Sequence, residues 1–223
     1  MNRSLRNGVL GVGIILLLAS LYLVFIWVPT EKVMGIVQRI FYLMVPMGWL
    51  AMLSFAIIFV ASIRYLASRN EKWDNLGYCA AEMGVIFTTL TLITGSLWAR
   101  PVWGVWWTWE PRLTATLVLW LIYLAYFMVR SFAREESQGS RFSAVVGIIG
   151  FVDIPIIGMS TSLWRGMHPG ILVAGGLETS MLVTLIVSIL AFTALYLVVL
   201  SERVSLRQGE REVRRLRRQL EEK

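Results

Sequence analysis

Val9-Leu-Gly-Val-Gly-Ile-Ile-Leu-Leu-Leu-Ala-Ser-Leu-Tyr-Leu-Val-Phe-Ile-Trp-Val28 is a run of 20 residues without one charged side chain. At about 1.5 Å per residue, a helix of that length crosses the ~30 Å hydrocarbon core of a bilayer. No water is available there, so each backbone N–H must find its acceptor within the segment, and a helix does this. Working outward, five further stretches are predominantly apolar: Trp49 to Leu66, Gly77 to Leu97, Ala115 to Val129, Ala144 to Ile157 and Met181 to Leu200. The fourth and fifth are short and borrow flanking residues. A composition of 57% hydrophobic and 16% charged residues, with mean hydropathy +0.68, excludes a soluble globular domain. The first run is too long for a signal peptide and lacks a small-x-small cleavage site, so it is expected to stay as the first span. These features predict an all-α integral membrane protein with six transmembrane helices, residues 1–223 forming one domain.

The basic residues set the expected orientation, because cytoplasmic loops are enriched in lysine and arginine. Sixteen of the 21 fall on one side: the N-terminal arginines, the second and fourth connections, and a tail that carries eight. The other side receives Lys32, Arg39, Arg100, Arg112 and Arg165. Both termini are therefore expected in the cytoplasm. The net charge of +7 follows from this topology and gives no reason to expect nucleic-acid binding.

Three segments are then expected outside: Pro29 to Gly48, Trp98 to Thr114 and Gly158 to Ser180. The second holds five of the ten tryptophans, Trp98, Trp103, Trp106, Trp107 and Trp109, within twelve residues. Trp103, Trp106 and Trp107 stand at i, i+3 and i+4, so a short amphipathic helix along the surface would put them on one face. An aromatic belt at the headgroup level needs one or two tryptophans per interface; a platform for a flat apolar ligand uses more. The third segment holds the single histidine, His168, in Trp164-Arg-Gly-Met-His-Pro-Gly170. A lone imidazole can be a solvated side chain, a proton carrier or an iron ligand. On the same membrane face as the tryptophans, and near arginines able to pair propionates, it reads as part of a haem site.

Trp103-Gly-Val-Trp-Trp-Thr-Trp-Glu-Pro-Arg-Leu-Thr114 resembles the tryptophan-rich WWD signature, WGxWWxWDxRLT, of membrane proteins that handle haem in cytochrome c biogenesis. With six spans and a short chain, the sequence is similar over nearly its whole length to the haem exporter protein C family of cytochrome c maturation proteins. Gln38-Arg-Ile-Phe-Tyr-Leu-Met-Val-Pro46 is similar to that family's first outer-loop motif, and Gly150-Phe-Val-Asp-Ile-Pro-Ile-Ile157 leads into its third. The resemblance implies a component of the bacterial inner membrane that binds haem b at its outer face. It also implies delivery to a periplasmic haem chaperone, cytochrome c maturation protein E. The expected assembly is with an ABC transporter formed by cytochrome c maturation proteins A and B, joined by the small protein D of the same system.

Two positions depart from the family pattern. The family places an axial histidine in each flanking outer loop, the first within His-Val-Pro; here that position is Met44, whereas His168 matches the second. Met44 is either a thioether ligand, which would favour ferrous iron relative to a second histidine, or apolar packing. The acidic residue of the signature is Glu110 in place of aspartate. Arg39 and Arg112 align with arginines of the two motifs, and Arg100 lies beside the signature; they suit haem propionates or phosphate headgroups. Glu110 with Arg112 or Arg39 could instead form an ion pair that shapes the loop.

Glu82 and Asp153 are expected at membrane depth, where a carboxylate should face the bundle or an aqueous path, and Pro155 marks a kink beside Asp153. Glu82 lies near enough to the cytoplasmic side to reach water. The single cysteine, Cys79, excludes a Cys-x-x-Cys thiol reductase or a covalent haem attachment motif, and the absence of a Walker A sequence assigns any ATPase step to a partner. No hydrolase constellation is present, so the chain is not expected to be an enzyme. The tail, 201–223, reads as a basic cytoplasmic helix continuing the sixth span, with Arg214, Arg215, Arg217 and Arg218 meeting anionic membrane lipid or a partner. The alternative to haem delivery is a permease or scaffold component whose tryptophan loop docks a partner protein without binding haem.

Overall fold

The computed structural model describes residues 3–32, 34–163 and 177–221. Seven α-helices build six spans: α1 (Arg3–Tyr22), α2 (Phe41–Ser68), α3 (Glu71–Trp103), α4 (Pro111–Ser131), α5 (Glu136–Gly150), α6 (Asp153–Leu163) and α7 (Thr179–Glu221). The last turn of α1 widens into a π turn over Leu23–Trp27, and a 3-10 turn over Ile36–Ile40 leads into α2. Among the described residues there is no strand. All six spans are long and apolar enough to cross a membrane, which makes this a multi-pass membrane protein.

Each helix boundary has a local cause. Asn70 caps α3 by accepting the Lys72 backbone N–H at 3.0 Å, and Glu71 and Asp74 in the first turn complement the helix dipole. Gly104, with φ 79°, takes the left-handed conformation that ends α3. Pro111 opens α4 at the position where its missing N–H leaves no bond unmade. The fifth span is broken as Pro155 predicts: α5 stops at Gly150, and Val152 and Ile154 bond back to Ile149 and Phe151 in tight turns before α6 takes over.

The second span begins earlier than its sequence suggests. The segment 29–48 is expected outside, yet Pro46 and Gly48 are the sixth and eighth residues of α2, because membrane helices tolerate proline and glycine where neighbouring groups satisfy the freed carbonyl. The polar Gln38 is accommodated because its amide donates to the Tyr42 hydroxyl at 3.0 Å. Met44 consequently sits in a helix and not on a loop.

In a bilayer, apolar contact alone does not drive helices together; close packing and interhelical hydrogen bonds do. The bundle uses both. Tyr123 of α4 donates through the core to the Ala51 carbonyl of α2 at 2.6 Å, Ser54 of α2 bonds Tyr196 of α7 at 2.9 Å, and Ser20 of α1 bonds Ser188 of α7 at 2.8 Å. Tyr123 reaches α2 only because α3 carries Gly84: a β-carbon there would lie 2.2 Å from the Tyr123 ring.

One end of the bundle is held by charge. Asp74 at the start of α3 is buried and accepts from both terminal nitrogens of Arg130 in α4, at 2.6 and 2.7 Å, and from Arg211 in α7 at 2.5 Å. Arg211 also pairs with Glu136 of α5 at 2.9 Å. Glu82, expected to be served by cytoplasmic water, pairs instead with Arg203 of α7 at 2.8 Å. Arg207 lies 3.2 Å above the Tyr78 ring. The basic helix that continues the sixth span thus packs its first turns onto the bundle, and Gly209 does not interrupt it. This arginine end and the tryptophan end lie about 50 Å apart along α3, by the rise of its 33 residues.

Gly84→Ala is expected to destabilise the protein by about 1–3 kcal/mol through overpacking against Tyr123. Gly209→Ala, with nothing within 4 Å of its built β-carbon, should be neutral or stabilising. Thermal unfolding in detergent reads both; equal melting temperatures for the two variants would refute the assigned role of Gly84.

Candidate functional site

At the tryptophan end, the last turn of α3 and a seven-residue connection, 104–110, present the aromatic cluster. Trp98 is buried and meets Trp103 edge to face, with ring centroids 5.1 Å apart. Past the Gly104 cap, the Arg100 guanidinium donates to the Gly104 carbonyl and lies 5.8 Å from the Trp106 ring centroid. Trp107 is half-buried and meets Trp109 edge-on at 5.8 Å. Trp106 and Trp109 are 57% and 76% exposed.

The expected surface helix does not form. α3 ends at Trp103, and the connection to Pro111 is too short to nucleate a helix of its own, so Trp103, Trp106 and Trp107 share no helical face. The irregular backbone has a different consequence. Trp107 Nε1, Thr108 Oγ1 and Thr114 Oγ1 are buried without a hydrogen-bond partner among the described residues. A buried polar group left unsatisfied costs about 1–3 kcal/mol, so these are groups that a bound molecule can satisfy.

Three residues beyond Trp109, Arg112 faces a cavity of about 350 Å³ between α2, α3, α4, α6 and α7. Met44 and Gly48 of α2, Gly95 of α3, Thr116 of α4 and Leu185 of α7 share its wall. The volume is in the range of small-molecule sites. Thr91 and Thr116 donate their hydroxyls to carbonyls of their own helices, Phe87 and Arg112, which spends their hydrogen-bonding donors locally. Arg112 is the one charged residue on the lining, and the opposing charge acting on it is Glu110, the N-cap residue of α4. Met44 is 7% exposed, and a β-carbon on Gly95 would lie 3.8 Å from its sulfur. An apolar chamber lined by two thioethers, Met44 and Met52, and one guanidinium is chemically suited to a flat, largely apolar molecule that carries a soft metal and an anionic edge.

The structure therefore puts Met44 and Arg112 on one cavity wall and places Trp106, Trp107, Trp109 and Glu110 on the adjoining connection, with Arg100 in the last turn of α3. Arg39 stands apart from that lining, its guanidinium 5.9 Å from the Phe25 ring centroid and its Nε unpartnered among the described residues. His168, with Trp164, Arg165 and Met167, lies outside the described residues. Gly48, Gly95 and Thr116 were not singled out from the sequence; small residues recurring on separate spans near the tryptophan end were the available signal.

A sequence model described as heme exporter protein C matches residues 1–219. Similar proteins include the heme exporter protein C of Bradyrhizobium diazoefficiens, 36% identical over 172 residues, which are 75% of this chain and 65% of that protein. A "putative cytochrome c biosynthesis ccmC-like mitochondrial protein" of Marchantia polymorpha is 33% identical over 64% of this chain and 60% of its own length. The heme exporter protein C of Haemophilus influenzae is 31% identical over 84% of this chain and 75% of its own. The match thus spans slightly under two thirds of the length of the first two relatives.

Filling the cavity tests whether it is a binding site. Gly95→Ala adds a methyl at ordinary contact distance and should leave quenching of tryptophan fluorescence by added haemin unchanged. Gly95→Phe should shift the quenching midpoint to at least about tenfold higher haemin, a loss of roughly 1.4 kcal/mol. Identical midpoints for wild type and Gly95→Phe would rule the cavity out.

Proposed function

The chain belongs to the heme exporter protein C family, and from that premise we propose that it holds haem b at the outer end of its bundle and delivers it to a periplasmic haem chaperone. In this reading it is a non-enzymatic component of the cytochrome c maturation system, cytochrome c maturation protein E being the acceptor. It sits in the inner membrane with both termini cytoplasmic. There it works beside the ABC transporter formed by cytochrome c maturation proteins A and B, together with the small protein D of that system. The observation that carries the reading is the cavity that Met44 and Arg112 both line, beside the tryptophan connection.

In this reading haem is the cargo, and the chain carries a residue type for each of its three chemical demands. The porphyrin plane needs apolar or aromatic surface, which the cavity wall and Trp103, Trp106, Trp107 and Trp109 supply. The iron needs soft or nitrogen donors: the Met44 thioether stands where the family has histidine, and His168 supplies the imidazole. The propionates need cations, and Arg112 is the first of these, with Arg100 and Arg39 toward the surface. Glu110 keeps Arg112 oriented by its charge. The exposed Trp106 and Trp109 leave an edge that a second protein can cover as it takes the haem.

Replacing Trp106, Trp107 and Trp109 together by alanine removes stacking surface worth about 1 kcal/mol per ring beyond area burial. Copurified haem, read from the Soret band, should fall at least tenfold in a variant that still inserts and melts like wild type. Undiminished haem in that variant would remove the aromatic surface from the site and favour a partner-docking role for the connection.

Met44→Ala should convert the spectrum of bound haem to one with an open coordination position, and Met44→His should give a low-spin bis-histidine spectrum with a lower reduction potential. If Met44→Ala keeps the wild-type spectrum, methionine is packing, and the iron takes its second ligand elsewhere.

A further inference from the structure

The arginine end of the bundle contains a second chamber, unrelated to the haem reading. It is a cleft of about 540 Å³ among the ends of α2, α3, α5 and α7, lined by Arg69, Arg141, Arg211, Arg214 and Arg215. We propose that this cleft binds a phosphate-bearing anion, either the headgroup of an acidic phospholipid or free phosphate.

The charge distribution carries the argument. Two of the cleft's carboxylates are already neutralised: Asp74 is held by Arg130 and Arg211, and Glu136 by Arg211. Arg69, Arg141, Arg214 and Arg215 form no ion pair among the described residues, and Glu71 is the one acidic lining residue left to oppose them. Four exposed guanidinium groups without an ion pair among the described residues, from three separate parts of the chain, therefore line one concave space, a surplus of positive charge that an anion would complement. An arginine fork matches phosphate oxygens in a way that a solvated surface charge does not require.

Position supplies the second argument. Arg211 is fixed to Asp74 inside the bundle, so Arg214 and Arg215, one turn further along the same unbroken helix, are held over the cleft. The cleft lies where α2 ends at Ser68 and α3 and α5 begin at Glu71 and Glu136, the depth at which spans give way to headgroups. The lysine and arginine distribution assigns that end to the cytoplasm, where the leaflet is anionic. Ser137 and Gln219 on the lining add uncharged polar groups.

The test uses the full-length protein in detergent with phosphatidylglycerol, phosphatidylcholine and inorganic phosphate as separate probes, read by native mass spectrometry. Wild type should retain phosphatidylglycerol at least tenfold better than phosphatidylcholine. The double variant Arg141→Gln/Arg215→Gln, which spares the Asp74 network, should lose that preference, whereas Arg217→Gln, paired with Glu221 on the exposed tail, should keep it. Retention that inorganic phosphate does not displace identifies the lipid as the source, and phosphate binding without a lipid preference identifies free phosphate. On the unmutated protein, phenylglyoxal labelling of Arg141 and Arg215 should fall when the bound probe is present and not with phosphatidylcholine. Equal retention by wild type and the double variant, or labelling that no phosphate probe protects, would overturn the proposal.

Discussion

Hydrocarbon offers a polar group no partner, and this constraint organises the molecule. It forces the backbone into six helical spans, leaves interhelical contact to small residues and paired hydroxyls, and pushes chemistry to the two ends. Where a side chain must cross the core, a neighbour makes room and an acceptor waits: Tyr123 passes Gly84 to reach the Ala51 carbonyl. The same device recurs between other spans, where the Trp49 indole donates to the Thr193 hydroxyl and the Trp120 indole to that of Thr89. Asp153, buried where α6 begins, lacks such an acceptor or donor, its Oδ2 being without a hydrogen-bond partner among the described residues.

The ends differ in kind. At the arginine end, the helices are tied through Asp74, Glu82 and the arginines of α7, so that end is rigid and polar. Removing one partner from such a buried network costs far more than an exposed ion pair is worth, because the remaining charges are stranded. At the tryptophan end, helices stop short of one another, a connection runs without regular structure, and indole and hydroxyl groups are left unsatisfied among the described residues. A tied base beneath an incompletely satisfied rim suits the haem delivery proposed above.

Much of this was legible in the sequence, for physical reasons that also explain the gaps. An uncharged run such as Val9 to Val28 has one stable solution in a membrane, and a proline inside an apolar segment, as at Pro155 in Ala144 to Ile157, points to a kink. The start of α2 was hidden because Pro46 and Gly48 resemble boundary residues, and nothing local reveals that Gln38 is satisfied by Tyr42. The left-handed turn at Gly104 ended the helix that the tryptophan spacing suggested. Contacts between residues 137 apart, as in Arg211 with Asp74, leave no periodic trace. The cavity was invisible for the same reason: it exists because Gly48 and Gly95, on different spans, both lack a side chain. A motif points to Met44 and Arg112 one at a time; only the fold gives them a shared cavity.

The central claim is that a thioether inside this cavity meets the cargo's metal. X-ray absorption at the iron edge of the haem-loaded, full-length wild-type protein addresses it without any mutation. The account predicts a sulfur atom in the first coordination shell of the iron. A shell made of nitrogen and oxygen alone would contradict it.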